Sequence, residues 1–381
     1  MPKLTPIQQI VHIAQQLNDA ESEAFRLRED LHAAIQSALA MGNSEEDVRA
    51  AGNISERYLA MVKGPSIDEL TGFKYRGSDP AMDYDDVYNV PIRRFKTLDD
   101  VDWSSFAPGS KTRIIIQPQP DILPIDVMYY PRENRRLIVA FHGAEDRRVL
   151  NPPKFQYMQS MTPREESLLF VSDSTLLTGP RINLGWMVGN KDLHVGAKVA
   201  DLVNRIVDVQ GHGETVLIGH SGGGYAAILV GSRIPNSRAI SVNGQSVVTR
   251  YEPWTVTNLK NEAFPELDSI EEMARTYAER LDLRVVLPER VPSSSFTAFG
   301  NSTDQASFGR LPHFPLLAEH FGLGEGGGRT DQGDALVACR WETQNPSGHA
   351  LPGTIVPFLN LVLGEPHSLN IEMSADPAWQ R

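Results

Sequence analysis

The sequence contains little cysteine, no excess of positive charge and no long uninterrupted apolar run. Cys339 is the single cysteine in 381 residues, so no intramolecular disulfide can form. Lys and Arg number 36 against 48 Asp and Glu, a net charge of −12, whereas broad binding to nucleic acid or anionic membranes needs a cationic surface. No window approaches the roughly 18 apolar residues of a spanning helix, and the start, MPKLTPIQQI, lacks the cationic and apolar regions of a signal peptide. We therefore expect a soluble, acidic, cytoplasmic protein that does not associate with membranes, and the charge balance disfavours nucleic acid as a partner.

Composition is that of a folded globular protein. Apolar residues make up 41% of the chain and charged residues 22%, which excludes disordered and low-complexity classes. The length allows two or three domains, or one large α/β domain with an appendage.

Residues 1–64 differ from the rest, and we predict a helical arm there. A glycine-free stretch from Thr5 to Met41 carries apolar residues at alternating spacings of three and four, as in a heptad seam. This seam would either pair with a second copy, giving a homodimer, or pack within the chain. Two short helices joined at Ala51–Asn53 follow, as a DNA-binding helix-turn-helix or as a plain helical hairpin. Residues 1–64 hold six basic and nine acidic side chains, which favours the hairpin.

Residues 65–381 are predicted to form the main domain, with a turn-rich linker or wrapping segment over 65–89. Short β-type runs then alternate with helical stretches, and runs such as LIVAF are typical of parallel strands buried on both faces. This alternation predicts a doubly wound, mostly parallel α/β sheet. The predicted strands are Arg113–Gln117, Asp126–Tyr130, Arg136–Phe141, Leu168–Ser172, Thr215–Gly219, Ala239–Val242, Ser295–Phe299 and Ala335–Arg340. The predicted helices are Val195–Val209, Gly223–Ser232, Ile270–Leu281 and Pro352–Leu363.

The segment ETVLIGHSGGGYAAILVG carries the most specific chemical signal. A short strand, Thr215–Ile218, runs into a Gly-x-Ser-x-Gly sequence with Ser221 at its centre, and a helix follows. A serine on such a sharp strand-to-helix turn is lifted above the sheet edge, and glycines two residues on either side avoid collisions with the neighbouring elements. We predict that Ser221 is a nucleophile.

With this turn, the chain over about residues 110–365 resembles the α/β-hydrolase superfamily. The resemblance implies an α/β-hydrolase fold and a catalytic order of serine, then acid, then histidine, with no cofactor. Asp304 follows a predicted strand and a glycine turn, and His349 lies in the loop between the last strand and the last helix. We predict a catalytic triad of Ser221, His349 and Asp304. Weaker candidates are Asp331 and Asp334 for the acid and His313, His320 and His367 for the histidine.

The resemblance also implies an oxyanion hole made of backbone N–H groups. One would belong to Gly222, directly after the serine. The second would come from the turn His142-Gly143-Ala144, which follows the strand Arg136–Phe141, through Gly143 or Ala144. The imidazole of His142 either contributes there or is bonded to nearby backbone.

About fifty residues separate two predicted strands, and we predict a cap insertion at about 245–294. Aromatic side chains of this region and of the segment Asn183–Asn190 either face the substrate or form the core of the cap. They are Trp186, Tyr251 and Trp254.

These features predict a serine hydrolase that cleaves an ester, or secondarily an amide or peptide, through an acyl-enzyme formed with a small acyl substrate. No metal-spaced Cys/His set and no dinucleotide-binding glycine motif is present, so we expect neither metal nor cofactor. Two further hypotheses remain open. One is an acyltransferase with the same triad, and the second is a regulatory, DNA-associated protein with a hydrolase-like sensor domain.

Overall fold

The computed structural model describes residues 31, 34–35, 37–39, 41–54, 59, 75–147, 150–343, 347–352, 355–363 and 372–373. The chain divides into two compact units, Met1–Ser66 with Glu252–Trp254, and Ile67–Tyr251 with Thr255–Arg381. Most of the predicted heptad helix, and the second helix of the predicted hairpin apart from Leu59, lie outside the described residues. The helical arm and the dimer therefore stay predictions.

In the first unit, helix α1 (Glu45–Gly52) ends within the predicted turn Ala51–Asn53. Its N-cap, Ser44, accepts a hydrogen bond from the backbone N–H of Asp47 at 3.1 Å, and Asn53 closes the helix in the left-handed conformation. Val48 packs with Ile35 and Leu59 in a small apolar cluster.

The second unit is built around a sheet whose strand order is β1-β2-β3-β4-β6-β5-β7-β8-β9-β11-β10, with β12 paired to β11. The pairs β2/β3, β6/β5, β5/β7, β7/β8, β8/β9 and β9/β11 are parallel, and the other pairs are antiparallel. The sheet is therefore mixed and mostly parallel, as predicted. The strands are β1 (Tyr84–Asp85), β2 (Val90–Phe95), β3 (Thr112–Ile116), β4 (Ile125–Tyr130), β5 (Arg136–Phe141), β6 (Ser167–Ser172), β7 (Glu214–His220), β8 (Ser237–Val242), β9 (Ser295–Asn301), β10 (Gly327–Arg329), β11 (Ala335–Arg340) and β12 (Glu372–Met373).

Helices connect these strands. They are α2 (Met158–Met161), α3 (Val195–Gln210), α4 (Gly222–Gly231), α5 (Pro253–Ala263), α6 (Ile270–Thr276), α7 (Ala278–Leu281), α8 (Leu283–Val286), α9 (His313–His320) and α10 (Ile355–Val362), together with short 3-10 turns and a π-helical turn, Gln305–Arg310.

The core lies on both faces of the sheet. Alternate residues of β5 belong to different apolar clusters: Leu137, Val139 and Phe141 join one, while Ile138 and Ala140 join the other. The first cluster contains the buried stripes of α3 and α4, and the second contains that of α10. A sheet covered on both faces explains why its central strands read as continuous apolar runs.

All eight predicted strands are present, but the prediction missed β1, β2, β10 and β12 and four helices. Strand β2 has the sequence VPIRRF, which is not typical of a buried strand because it contains a proline and two arginines. The helices α2, α5, α8 and α9 were not predicted. The predicted helix Ile270–Leu281 is interrupted at Tyr277, where the backbone leaves the helical region, so that α6 and α7 are separate.

A buried ion cluster attaches the segment before β2 to the sheet. Arg113 on β3 is fully buried and donates to Asp126 on β4 at 2.6 Å and to Asp85 on β1 at 2.8 Å. Tyr75 adds a hydrogen bond from its hydroxyl to Asp126 at 2.8 Å. The described part of the predicted linker is thus anchored by charged side chains.

Within the described residues, no helix is long and apolar enough to cross a membrane.

Candidate active site

Ser221 occupies a strained turn between β7 and α4. Its φ and ψ of 55° and −124° are uncommon for a residue with a side chain. Its backbone N–H donates to the carbonyl oxygen of Val242 at 2.9 Å, which fixes the turn against β8. A Cβ on Gly219 would collide with the carbonyl oxygen of Gly223, and one on Gly223 would lie 2.6 Å from that of Phe141. Both glycines of the motif are therefore required by close backbone approach.

Ser221, His349 and Asp304 form one hydrogen-bonded line. The His349 Nε2 lies 2.9 Å from the Ser221 Oγ, and the His349 Nδ1 lies 2.7 Å from the Asp304 Oδ2. The three residues follow β7, β9 and β11, whose carboxyl ends meet at the same edge of the sheet because these strands are parallel. This arrangement lets His349 take a proton from the serine hydroxyl while Asp304 orients the ring.

Asp304 is fully buried, but its surroundings favour the ionised form of its carboxyl group. Burial alone would raise the pKa of its carboxyl, but the hydrogen bond and charge of His349, together with Ser307, outweigh it and lower the pKa. The Ser307 backbone N–H donates to the Asp304 Oδ1 at 3.3 Å. The carboxylate is thus held ionised on the far side of the imidazole from the serine.

Side chains that the sequence did not single out hold the backbone of the His349 loop. The His349 carbonyl accepts from the His220 Nε2 at 2.6 Å and from the Asn243 amide at 2.9 Å. The Asn301 amide donates to the carbonyl of Gly348 at 2.9 Å. Burial, followed by the neighbouring His349, lowers the pKa of His220 to about 3, so its ring is neutral with the proton on Nε2.

The predicted oxyanion turn lies next to the serine. A Cβ on Gly143 would be 3.6 Å from the Ser221 Cβ and 4.0 Å from the backbone nitrogen of Gly222. However, the Gly143 N–H donates to the Gln156 Oε1 at 3.1 Å, whereas Ala144 is exposed. Gly143 and Ala144 are the two residues predicted to supply the second donor, and this bond takes up the N–H of Gly143 but not that of Ala144. Gly222 begins α4, where backbone N–H groups favour negative charge.

The imidazole of His142 is bonded to backbone. Its Nε2 accepts from the N–H of Asp173 at 2.9 Å, so the proton is on Nδ1, which donates to the carbonyl of Gly143 at 2.8 Å. His142 is buried, and this arrangement matches the second of the two roles predicted for its side chain, a bond to nearby backbone.

Gln245 is the functional candidate that sequence reasoning missed. Its side-chain nitrogen lies 3.2 Å from the Ser221 Oγ, and its Oε1 accepts from the Trp186 Nε1 at 3.0 Å. Tyr251 packs edge-on against Trp186, with ring centroids 5.5 Å apart. The signal in the sequence was position, because Gln245 follows β8 closely and β8 is the neighbour of β7.

The remaining predicted residues are Trp254 and the weaker candidates for the acid and the histidine. Trp254 is half-buried in α5 and belongs to the first compact unit, whereas the triad belongs to the second. Asp334 precedes β11 and pairs with Arg290 at 2.7 Å, at the end of that strand away from His349. Among the weaker candidates for the acid and the histidine, Asp331 and His320 are exposed, His313 is buried, and His367 lies outside the described residues.

Among the residues that the structure describes, no group of three or more His, Cys, Asp or Glu side chains is arranged to hold a metal ion.

Comparison with known proteins gives distant structural likenesses. No protein-family model and no curated protein matches the sequence. The glycosylation-associated Gap123 complex of Streptococcus agalactiae is similar at 16% identity and a TM-score of 0.40, over 57% of this chain and 40% of that one. The S-formylglutathione hydrolase of Agrobacterium tumefaciens is similar at 15% identity and a TM-score of 0.40, over 61% of this chain and 87% of that one. The capsule O-acetyltransferase of Neisseria meningitidis serogroup A is similar at 16% identity and a TM-score of 0.38, over 52% of this chain and 81% of that one.

This chain therefore spans about two fifths of the Gap123 chain, and likenesses of this degree carry no argument about activity. The strand order and directions of the sheet themselves identify the fold. The parallel strands β5, β7, β8, β9 and β11 are neighbours in space, β4 is antiparallel beside β6, and the serine turn follows β7. The chain has an α/β-hydrolase-like fold.

Proposed function

We propose that this protein is a serine hydrolase that cleaves carboxylic esters through an acyl-enzyme. The observation that carries the proposal is the continuous contact from Asp304 through His349 to the Ser221 Oγ, with distances of 2.7 and 2.9 Å. A serine hydroxyl on a strained turn, aligned with an imidazole that a buried carboxylate orients, is the arrangement needed to generate a nucleophile.

The chemistry follows from these contacts. His349 takes the Ser221 proton as Oγ attacks the ester carbonyl carbon, and Asp304 stabilises the resulting imidazolium. The carbonyl electrons move to the oxygen, which the N–H groups of Gly222 and Ala144 bind; losing one such donor typically costs about 2.7–4 kcal/mol. His349 then protonates the leaving alcohol, and a water molecule, deprotonated by the same ring, releases the acid.

We also propose that the segment from α5 to α8 forms the cap predicted at about 245–294. Contacts with the region around the serine turn support this role. The backbone N–H of Leu283 donates to the carbonyl of Ser246 at 2.9 Å, and the hydroxyl of Tyr225, on α4, donates to the carbonyl of Arg280 at 2.8 Å. The segment therefore has fixed attachments to the residues that flank Ser221 and Gln245.

Labelling with a fluorophosphonate probe tests the hydrolase proposal. The wild-type protein is expected to gain one adduct and Ser221→Ala none, because the probe needs an activated serine. Ser232→Ala is the matched control: Ser232 caps the other end of α4 and should not affect labelling. Undiminished labelling of Ser221→Ala would contradict the proposal.

A screen of p-nitrophenyl esters with added alcohol acceptors then identifies the reaction. Free acid as the main product indicates a hydrolase, and a new ester indicates an acyltransferase, for which the same residues suffice.

A further inference from the structure

We propose that Gln245 is a further catalytic residue, which acts on the nucleophile itself. Its side-chain N–H would hold the Ser221 Oγ and stabilise the negative charge that develops there when the bond to the acyl carbon forms and breaks. The inference rests on the proposed hydrolase function and extends it. Within the triad and the oxyanion turn, His349 is the one residue that supplies a donor to this oxygen.

The orientation of the Gln245 amide is determined by its partners. The Trp186 indole N–H can only donate, so the amide oxygen must face it, and the bond measures 3.0 Å. The amide nitrogen then faces the Ser221 Oγ at 3.2 Å. Both Gln245 and Trp186 are buried, at 2% and 1% exposure, so a flipped amide would leave an indole N–H without its acceptor.

The backbone that presents Trp186 is itself unusual. Trp186 and Met187 have positive φ values of 51° and 61°, a conformation that is rare and unfavourable for bulky residues. The conformation is held by the N–H of Met187, which donates to Asp173 at 2.9 Å, and by its carbonyl, which accepts from Gly196 at 2.7 Å. The fold thus maintains a costly turn that points the indole N–H at Gln245.

The contact defines what Gln245 does in each step. In the free enzyme, the hydroxyl of Ser221 donates to His349 and accepts from Gln245, which leaves one lone pair of Oγ for attack on the substrate. In deacylation the bond between Oγ and the acyl carbon breaks, its electron pair stays on Oγ, and the proton on the His349 Nε2 moves to Oγ. A hydrogen bond to oxygen strengthens as negative charge grows, so the Gln245 N–H favours the transition state over the ester.

The test measures formation and decay of the acetyl-enzyme from p-nitrophenyl acetate, by rapid mixing and intact-protein mass spectrometry. Gln245→Met keeps the length of the side chain and removes the donor. Because a hydrogen bond to a charged group is worth about 1.5–3 kcal/mol, we expect deacylation to slow by roughly 10- to 100-fold and the acetyl-enzyme to accumulate. Gln210→Met is the matched control, since that amide donates to the Trp103 carbonyl, outside the site, and its loss should leave the rates unchanged.

A second variant separates catalysis from packing. Gln245→Glu keeps the acceptor for Trp186 but places a carboxylate beside Ser221 and His349. The carboxylate stabilises the imidazolium, so the acid limb of kcat/KM should move to higher pH, an effect that altered packing alone does not produce.

The outcomes are distinct. Decay of the acetyl-enzyme of Gln245→Met within twofold of wild type, or an unmoved acid limb in Gln245→Glu, overturns this inference alone. Absence of any acetyl or fluorophosphonate adduct in the wild-type protein overturns the proposed function, and the inference with it.

Discussion

Two buried carboxylate clusters in the same unit have different basic partners. Asp304 meets an imidazole, that of His349, whereas Asp126 meets the guanidinium of Arg113. Both carboxylates are almost fully buried, at 0% and 1% exposure, and both bonds are short, at 2.7 and 2.6 Å. The difference between the clusters therefore lies in the basic partner rather than in burial or distance.

The guanidinium cannot release its proton. Burial by itself would lower the pKa of Arg113, but the charge and hydrogen bond of Asp126, with Tyr75 and Asp85, outweigh burial and raise it. An imidazole, by contrast, can both accept and donate a proton, so it can exchange one with a serine hydroxyl. We therefore expect the carboxylate beside the permanent cation to be structural, and the carboxylate beside the imidazole to take part in the proposed catalysis.

The largest effect is expected from Asp304→Asn. The amide keeps the size of the side chain but favours the wrong tautomer of His349, and an equivalent change in a serine protease lowers kcat by about 10⁴-fold. Steady-state hydrolysis of p-nitrophenyl acetate measures the effect. Asp334→Asn, a buried aspartate at the other end of β11, should retain the kcat of wild type; equal losses in both variants would remove the distinction between catalytic and structural carboxylates.

Arg113→Met should affect stability and leave the chemistry intact. Breaking a buried ion pair leaves carboxylates without a partner and typically costs about 3–5 kcal/mol of unfolding free energy. Urea denaturation measures this, together with kcat of the folded protein. A triple variant that also carries Asp85→Asn and Asp126→Asn should recover part of the loss, because the uncompensated charges are gone; a kcat that falls with stability would contradict the separation of the two clusters.

The smallest expected effect is the loss of unfolding free energy in acid. Burial lowers the pKa of His313 to about 3, so this ring is neutral in the fold but binds a proton in the unfolded chain below about pH 6.5. The unfolded state then holds more protons, and the unfolding free energy falls as pH drops from 6.5 toward 3, by up to about 1.4 kcal/mol per pH unit for each such group. His220 contributes in the same direction.

Urea denaturation at pH 7 and pH 5 checks the slope. His313→Gln should reduce the loss of stability between these pH values, whereas His320→Gln, exposed at the other end of α9, should not change it. Arg113 stays charged throughout this range, so Arg113→Met should lower stability equally at both pH values. A slope that His313→Gln leaves unchanged would show that this ring is not a source of the acid sensitivity.

The sequence was most informative where local pattern determines structure. The apolar runs of the central strands and the Gly-x-Ser-x-Gly turn are local, and the mostly parallel sheet that they predicted is confirmed. The catalytic order implied by the resemblance, applied to the residues that follow successive strands, led to Asp304 and His349, which the structure brings together with Ser221.

Features that depend on contacts between distant elements were not predictable. Gln245 meets Ser221 only because β8 lies beside β7, and Asn301 reaches Gly348 only because β9 lies beside β11. The hydrogen bond from Gly143 to Gln156 likewise joins two loops without a recognisable pattern. Strand β2 was missed because its charged residues are accommodated by partners elsewhere, such as Ser105 for Arg93.

The position of His349 so late in the chain has a consequence for biosynthesis. The Ser221 hydroxyl and His349, the base that we propose for it, are 128 residues apart in sequence. At a translation rate of about 5–20 residues per second, the base follows the serine from the ribosome by roughly 6–26 s. During that interval the nascent chain already carries the serine but has no group to activate it. Premature termination anywhere in this stretch would therefore release a protein without its base, so reactivity arises only once the central sheet can be completed.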